Sequence, residues 1–138
     1  MEKTFVMLKS DGLQRGLLGN VLSRIESKGY SILALKVQNM TLEQLEKHYD
    51  GHQDKPYFPN LVEYLTSGPV VHMVIGGENV VAGMRKMSGA TDPAKADLGT
   101  VRGDLAQDMT KNLIHTSDSL ENAAREIALY LTPEEIIE

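Results

Sequence analysis

TFVMLKSDGLQRGLLGNVLSRIESKGYSILALKVQNM, residues 4–40, carries the pattern that decides the fold. TFVMLK (4–9) is a short β-branched and apolar run broken by SDG, a turn signature, and it reads as a buried strand whose end carries Lys9. From Gly16 the apolar positions Leu17, Leu18, Val21, Leu22 and Ile25 recur at helical spacing until Lys28 and Gly29 stop them. SILALKVQNM (31–40) then reads as a second strand, so the order so far is β, α, β.

Outward from there, Thr41 with Gln44 three residues on makes a capping-box pattern ahead of LEQLEKHY (42–49). An aromatic turn, PYFPNLVEYL (56–65), leads through SGP into VVHMVIGG (70–77), a third strand. Val80, Val81, Met84 and Met87 form another helical stripe. SGATDPAKADLGTVRGD (88–104) is too long and irregular for a plain connection, and such loops in compact domains are often functional. A last short strand lies near NLIH (112–115). Asp118 with Glu121 then caps a closing helix whose apolar stripe is Leu120, Ala123, Ala124, Ile127, Ala128 and Leu131. These elements predict an α/β (α+β) chain of ferredoxin-like split βαβ type, a four-stranded antiparallel sheet covered by helices on one face.

A length of 138 residues at 41% apolar composition suits one compact domain over 1–138. No stretch reaches the roughly 18 apolar residues of a membrane span, and MEKTFVMLKS lacks a secretory core, so a soluble, cytoplasmic protein is expected. The chain has no cysteine, which excludes disulfides and thiolate metal sites. Its formal charge of −5 argues against general affinity for nucleic acid, so a polyanionic ligand needs a local basic cluster.

Of the four histidines, His72 lies inside an apolar strand and reads as packed against a neighbour. His48 and His52 are four apart, but the segment lacks the HExxH glutamate and contains Gly51, so they read as a surface pair. His115 differs: its strand ends just after it and a helix begins near Asp118, where backbone amides and the positive helix end suit a phosphate. Lys9 at a strand end, Arg85 beside an apolar stripe and Arg102 between Gly99 and Gly103 are the cations able to neutralise a triphosphate. The glycines there permit close backbone approach. Neither DGLQRGLLG nor GGENVVAG completes a Walker or dinucleotide fingerprint.

KSDGLQRG (9–16), HYDGHQDKPYF (48–58), NVVAGMRKMSGAT (79–91), GTVRGD (99–104) and NLIHTSDS (112–119) resemble, in that order, the signature segments of nucleoside diphosphate kinases. The resemblance spans residues 3 to 135. It implies that His115 takes the γ-phosphate of a nucleoside triphosphate, typically ATP, on its δ nitrogen and passes it to a diphosphate by a ping-pong route. Glu126 holds the ε nitrogen in that scheme and Ser117 hydrogen-bonds the glutamate. Arg85, Arg102 and Thr91 correspond to phosphate ligands, and Tyr49 to a tyrosine beside the histidine. Lys9 and Asn112 correspond to groups at the sugar 3′-hydroxyl, and Lys9 is also near the phosphates. Tyr57 falls where an aromatic stacks on the base, with Leu61 and Met109 near the pocket walls, whereas Phe58 reads as core. Stacking accepts any base, so broad base specificity follows, and the resemblance implies breadth toward the sugar as well. Mg²⁺ would arrive on the nucleotide phosphates, with no dedicated protein cage. The family's assembly implies a hexamer, alternatively a tetramer, with Pro93 in the loop around the hexamer's threefold axis. Ser10 replaces a usual proline, Tyr57 a common phenylalanine, and Thr116 a usual glycine whose positive φ a Cβ would disfavour. A phosphohistidine carrier would need neither Tyr57 nor Asn112, and a nucleic-acid or nucleotide-sensing module conflicts with the acidity and sparse Phe.

Overall fold

The computed structural model describes residues 1–138. Strand β1 (Lys3–Leu8) is followed by a short helix α1 (Ser10–Gln14), helix α2 (Leu18–Ser27) and strand β2 (Ser31–Gln38). Helices α3 (Leu42–His48) and α4 (Phe58–Leu65) precede strand β3 (Val70–Gly76). Helix α5 (Val80–Ser88), a 3₁₀ turn (Pro93–Lys95), helix α6 (Val101–Leu105), strand β4 (Ile114–Thr116), helix α7 (Leu120–Tyr130) and a second 3₁₀ turn (Pro133–Glu135) complete the chain. The four strands form one sheet in the order β2-β3-β1-β4, every neighbouring pair antiparallel, as the split βαβ reading requires. No helix is long and apolar enough to cross a membrane.

Helices cover both faces of this sheet, not the one face expected. Side chains alternate along β1, so Val6 and Leu8 join Val71, Met73 and Ile75 of β3, Val21 and Ile25 of α2, and Val80 and Met84 of α5 in one core. Phe5 and Met7 point the other way, to Val70 and Val74, Leu45 of α3, Leu65 of α4 and Tyr130 of α7. The signal for two covered faces is β3 itself, a continuous buried run without polar alternation.

Several boundaries differ from the sequence reading. SDG is not a turn but the start of α1, with Lys9 as its N-cap residue. PYFPNLVEYL is mostly helix α4, because Pro59 falls in the first turn, where its missing N–H costs nothing. The long loop closes in α6, which places Arg102 on a helix. Ser119, not Asp118, caps α7 by accepting from the Asn122 amide at 3.0 Å. The capping box at Thr41 and Gln44 is present as read, at 3.1 Å in both directions.

The buried face of α7 is Ala123, Glu126 and Tyr130, whereas Leu120, Ala124 and Ala128 face solvent. The strand register explains what this face meets. Met7 pairs with His115 on one side and with His72 on the other, so both imidazoles project to the face that α7 covers.

Candidate active site

Lys9 leaves the end of β1, and its backbone N–H donates to the Leu113 carbonyl at 2.7 Å. Its Nζ donates to Asn112 Oδ1 at 2.8 Å, joining two of the expected sugar ligands. Asn112 Nδ2 donates in turn to the carbonyls of Met109 and Thr91, at 3.1 and 3.3 Å. The segment under Lys9 is anchored by Ser10 Oγ, which donates to the Tyr64 carbonyl at 2.7 Å, and by the Tyr64 hydroxyl, which donates to Asp11. Ser10 therefore supplies by hydrogen bonding the fixity that a proline ring would give.

Between Asn112 and β4 the chain makes a tight turn. Leu113 has φ of +74°, and the Ile114 N–H donates back to the Asn112 carbonyl at 2.9 Å, a γ-turn of the rare positive-φ kind. Such a conformation costs of order 1–3 kcal/mol and persists only where the surroundings impose it. Arg102 does so here: Nε donates to the Asn112 carbonyl at 3.3 Å, Nη1 to Gly89 at 2.8 Å and Nη2 to Ile114 at 2.5 Å. Thr116 does not have positive φ and lies within β4, so the strain expected from its Cβ is absent.

His115 Nε2 is 2.9 Å from Glu126 Oε1, and Ser117 Oγ donates to the same oxygen at 2.6 Å. A carboxylate only accepts, so the Nε2–H tautomer is fixed and Nδ1 is left with its lone pair. Burial pushes the Glu126 carboxyl up, but the His115 hydrogen bond and charge and the Ser117 hydroxyl outweigh it and bring it down to about 2. Burial, with Lys9 and Arg85 nearby, lowers the His115 imidazole against the pull of Glu126, so the ring is neutral at neutral pH. Arg85 Nη1 donates to the Thr116 carbonyl at 3.2 Å, one residue beyond the imidazole.

The cations feel one another. Burial and then Arg102 bring Lys9 down to about 8, and burial and then Arg85 bring Arg102 down to about 10. Three positive charges in mutual repulsion are what an anion would relieve. Arg85 and Thr91 line one concavity of about 490 Å³ with Lys86 and Lys95. Tyr49 stacks on His48 with centroids 4.6 Å apart, and burial, Glu126 and Tyr57 keep its phenol protonated. Tyr57 is 48% exposed and Met109 59%, both open to a ligand, while Leu61 is partly buried against the core that holds Phe5, Leu65 and Tyr130. Phe58 is buried, as read.

The glycines of GTVRGD serve the loop rather than a ligand. A Cβ on Gly103 would lie 1.9 Å from the Asp97 carbonyl, so the close approach there is internal. Gly103→Ala is expected to destabilise the chain by about 2–4 kcal/mol, read as a lower urea midpoint at unchanged m, since overpacking here meets backbone.

His48 is not on the surface. It is 5% exposed, follows Leu45 by three on the inner side of α3, and meets the edge of the His115 ring at 4.7 Å. Its Nδ1 is 2.6 Å from the Tyr130 hydroxyl, and its Nε2 has no partner. His52 is exposed, and its ring contacts the Tyr57 hydroxyl. His72 is packed as read, against Tyr130 at 4.1 Å and Gln38.

Burial brings both His48 and His72 down to about 3. In the unfolded chain they titrate near 6.5, so below that pH the unfolded state binds protons that the folded state refuses. Stability present above about pH 6.5 is therefore lost as pH falls toward 3, by up to about 1.4 kcal/mol per pH unit for each ring. Glu126 adds a loss between its usual 4.5 and about 2. Urea unfolding at pH 7.5, 6 and 5 tests this, and a flat profile would contradict neutral burial of the two rings.

A profile for the family described as nucleoside diphosphate kinase matches residues 2–136. The chain is 54% identical to a nucleoside diphosphate kinase of Thermus thermophilus, over 99% of this chain and all of that one. It is 52% identical to one of Methanocorpusculum labreanum, over 99% of this chain and 92% of the other. Among solved structures, a halophilic nucleoside diphosphate kinase from Halobacterium salinarum in complex with CDP superposes with a TM-score of 0.96. It shares 43% identity and covers 99% of this chain and 91% of its own.

Proposed function

We propose, from the premise that this chain belongs to the nucleoside diphosphate kinase family, that His115 is the group through which its phosphoryl transfer runs. The activity is that of the family: the γ-phosphate of a nucleoside triphosphate moves to a nucleoside diphosphate. The observation that carries the role of His115 is the 2.9 Å contact from Nε2 to Glu126, which leaves Nδ1 as the nucleophile.

In the first step the Nδ1 lone pair forms a bond to the γ-phosphorus while the bond to the bridging oxygen breaks, its electron pair leaving on the diphosphate. The ring then carries both phosphate and the Nε2 proton, and the positive charge this creates faces the Glu126 carboxylate, which the His115 and Ser117 contacts hold well below the usual carboxylate range. Ser117 keeps that carboxylate turned toward the ring. The second step reverses the first on a bound diphosphate. Arg85, Arg102 and Thr91 hold the phosphates, with Lys9 and Tyr49 beside the transferred group. Lys9 and Asn112, already paired at 2.8 Å, meet the sugar 3′-hydroxyl. The half-exposed Tyr57 offers a stacking face that does not select among bases, between Leu61 and Met109.

The family uses a divalent cation, here assigned as Mg²⁺ entering on the nucleotide. The side chains at the phosphates are cationic or hydroxyl, a set that fits phosphate oxygens rather than a second cage of carboxylates. Assembly into a hexamer is supported by Leu98 in the long loop, an 85% exposed apolar side chain, and by exposed Leu35 and Val37 on edge strand β2. Pro93 is buried within its own chain, whereas Leu98 is an exposed apolar side chain of that loop able to meet a copy. Light scattering at six times the chain mass supports this assembly, and four times gives the tetramer. A cytoplasmic location accompanies this reading.

The test is γ-labelled ATP with Mg²⁺. The expected result is acid-labile, alkali-stable label at His115 that GDP removes as labelled GTP. Label that GDP cannot remove would replace the kinase mechanism by that of a carrier.

A further inference from the structure

We propose that His48, His115 and Glu126 form a site for a divalent transition-metal ion of the zinc class, and that this ion, separate from the cation on the nucleotide, turns phosphoryl uptake off. The inhibitory part rests on His115 being the phosphoryl acceptor. The three side chains each offer one ligand atom, all within 4.8 Å of one another. Glu126 Oε1 is 2.9 Å from His115 Nε2, and Oε2 is 3.8 Å from His48 Nε2. Zinc holds such ligands at about 2.0–2.1 Å in a tetrahedron, so neighbouring ligands lie about 3.3 Å apart; the two carboxylate contacts bracket that value, and closing on an ion requires side-chain rotation to shorten the widest separation, which reaches up to 4.8 Å.

A second observation points the same way. His48 Nε2 is a buried polar atom without a hydrogen-bond partner, on a side chain only 2% exposed, and it faces the Glu126 carboxylate. The catalytic scheme gives it no task. Metal-bound imidazoles typically donate their other N–H to an outer group, and His48 has the Tyr130 hydroxyl at 2.6 Å for that purpose. Ser117 likewise supports Glu126. His115, whose side chain is 20% exposed, leaves room for a water as fourth ligand. Two imidazoles and one carboxylate suit zinc or cobalt and disfavour Mg²⁺, so the nucleotide's own cation does not compete.

The effect on His115 follows from proton balance. A metal on Nε2 uses that nitrogen's lone pair, so the single proton of the neutral ring moves to Nδ1. The atom that attacks phosphorus is then protonated and no longer a nucleophile. Glu126, drawn onto the ion, also ceases to orient the ring.

Titrating the full-length protein with Co²⁺ alone reads binding without nucleotide, and therefore independently of any kinase mechanism. We expect a visible ligand-field band that saturates at one equivalent, is displaced by Zn²⁺ and is absent in His48→Ala. Tyr130→Phe keeps the ring and its packing but loses the outer hydroxyl, and should weaken binding about 10–100-fold. Long-range ¹H–¹⁵N spectra should show the His115 proton moving from Nε2 to Nδ1. One equivalent of Zn²⁺ should slow label uptake from substoichiometric γ-labelled ATP at least tenfold. No band, or a band unchanged in both variants, overturns the site; undiminished uptake with Zn²⁺ bound overturns the inhibition.

Discussion

His115→Ala is expected to lower nucleotide turnover by about 10⁴-fold or more, since removing a covalent nucleophile eliminates the route rather than weakening it. Nothing else nearby can substitute. His48 is the next imidazole, but it is buried, and its Nδ1 is occupied by Tyr130. Ser117 is buried and spends its hydroxyl on Glu126. The variant should still bind nucleotide, because the three cations and Tyr57 are untouched, so fluorescence titration with a nucleoside diphosphate should give a near-normal Kd. Stability should fall by about 1–3 kcal/mol, since the carboxylate of Glu126 loses its imidazole partner while remaining buried. Retention of more than about one hundredth of wild-type turnover would assign the phosphoryl acceptor elsewhere. Glu126→Gln separates the two roles. The amide keeps the shape but cannot neutralise the phosphorylated ring, so uptake of label should slow while nucleotide affinity stays.

The proposed nucleophile, His115, was legible because chemistry and chain position coincide in NLIHTSDS, where a histidine at a strand end is followed by the small polar residues that orient its neighbours. Glu126 was legible by resemblance and illegible by periodicity. Alanine scores as apolar on either side of a helix, so Ala124 and Ala128 drew the stripe of α7 to the solvent side, while a buried carboxylate reads as surface. His48 was missed for a related reason. Pairing it with His52 obscured its spacing of three from Leu45, which puts it on the buried side of α3. The γ-turn at Leu113 had no signal at all. Leucine has no preference for positive φ, and the conformation is imposed by tertiary partners on both sides.

Chief among those partners is Arg102, and its replacement gives the second large effect. Arg102→Ala is expected to destabilise the chain by about 3–5 kcal/mol, because the carbonyls of Gly89 and Ile114 lose the guanidinium's N–H groups at once and that of Asn112 keeps only the Ile114 N–H. Those carbonyls belong to the end of α5 and to both sides of the strained turn, so one guanidinium ties the strand of His115 to the neighbouring helix. Arg102→Lys should recover little, since an ammonium on a flexible stem cannot place donors in three fixed directions. The fork has five N–H groups, and three bonds to carbonyls leave two for a phosphate. Positioning and the proposed phosphate contact thus share one geometry. A variant that melts normally in urea yet loses nucleotide affinity would make Arg102 a ligand only. One that loses stability and turnover together, with the remaining folded fraction also raised in KM, fits an arginine that shapes the turn while it meets the substrate.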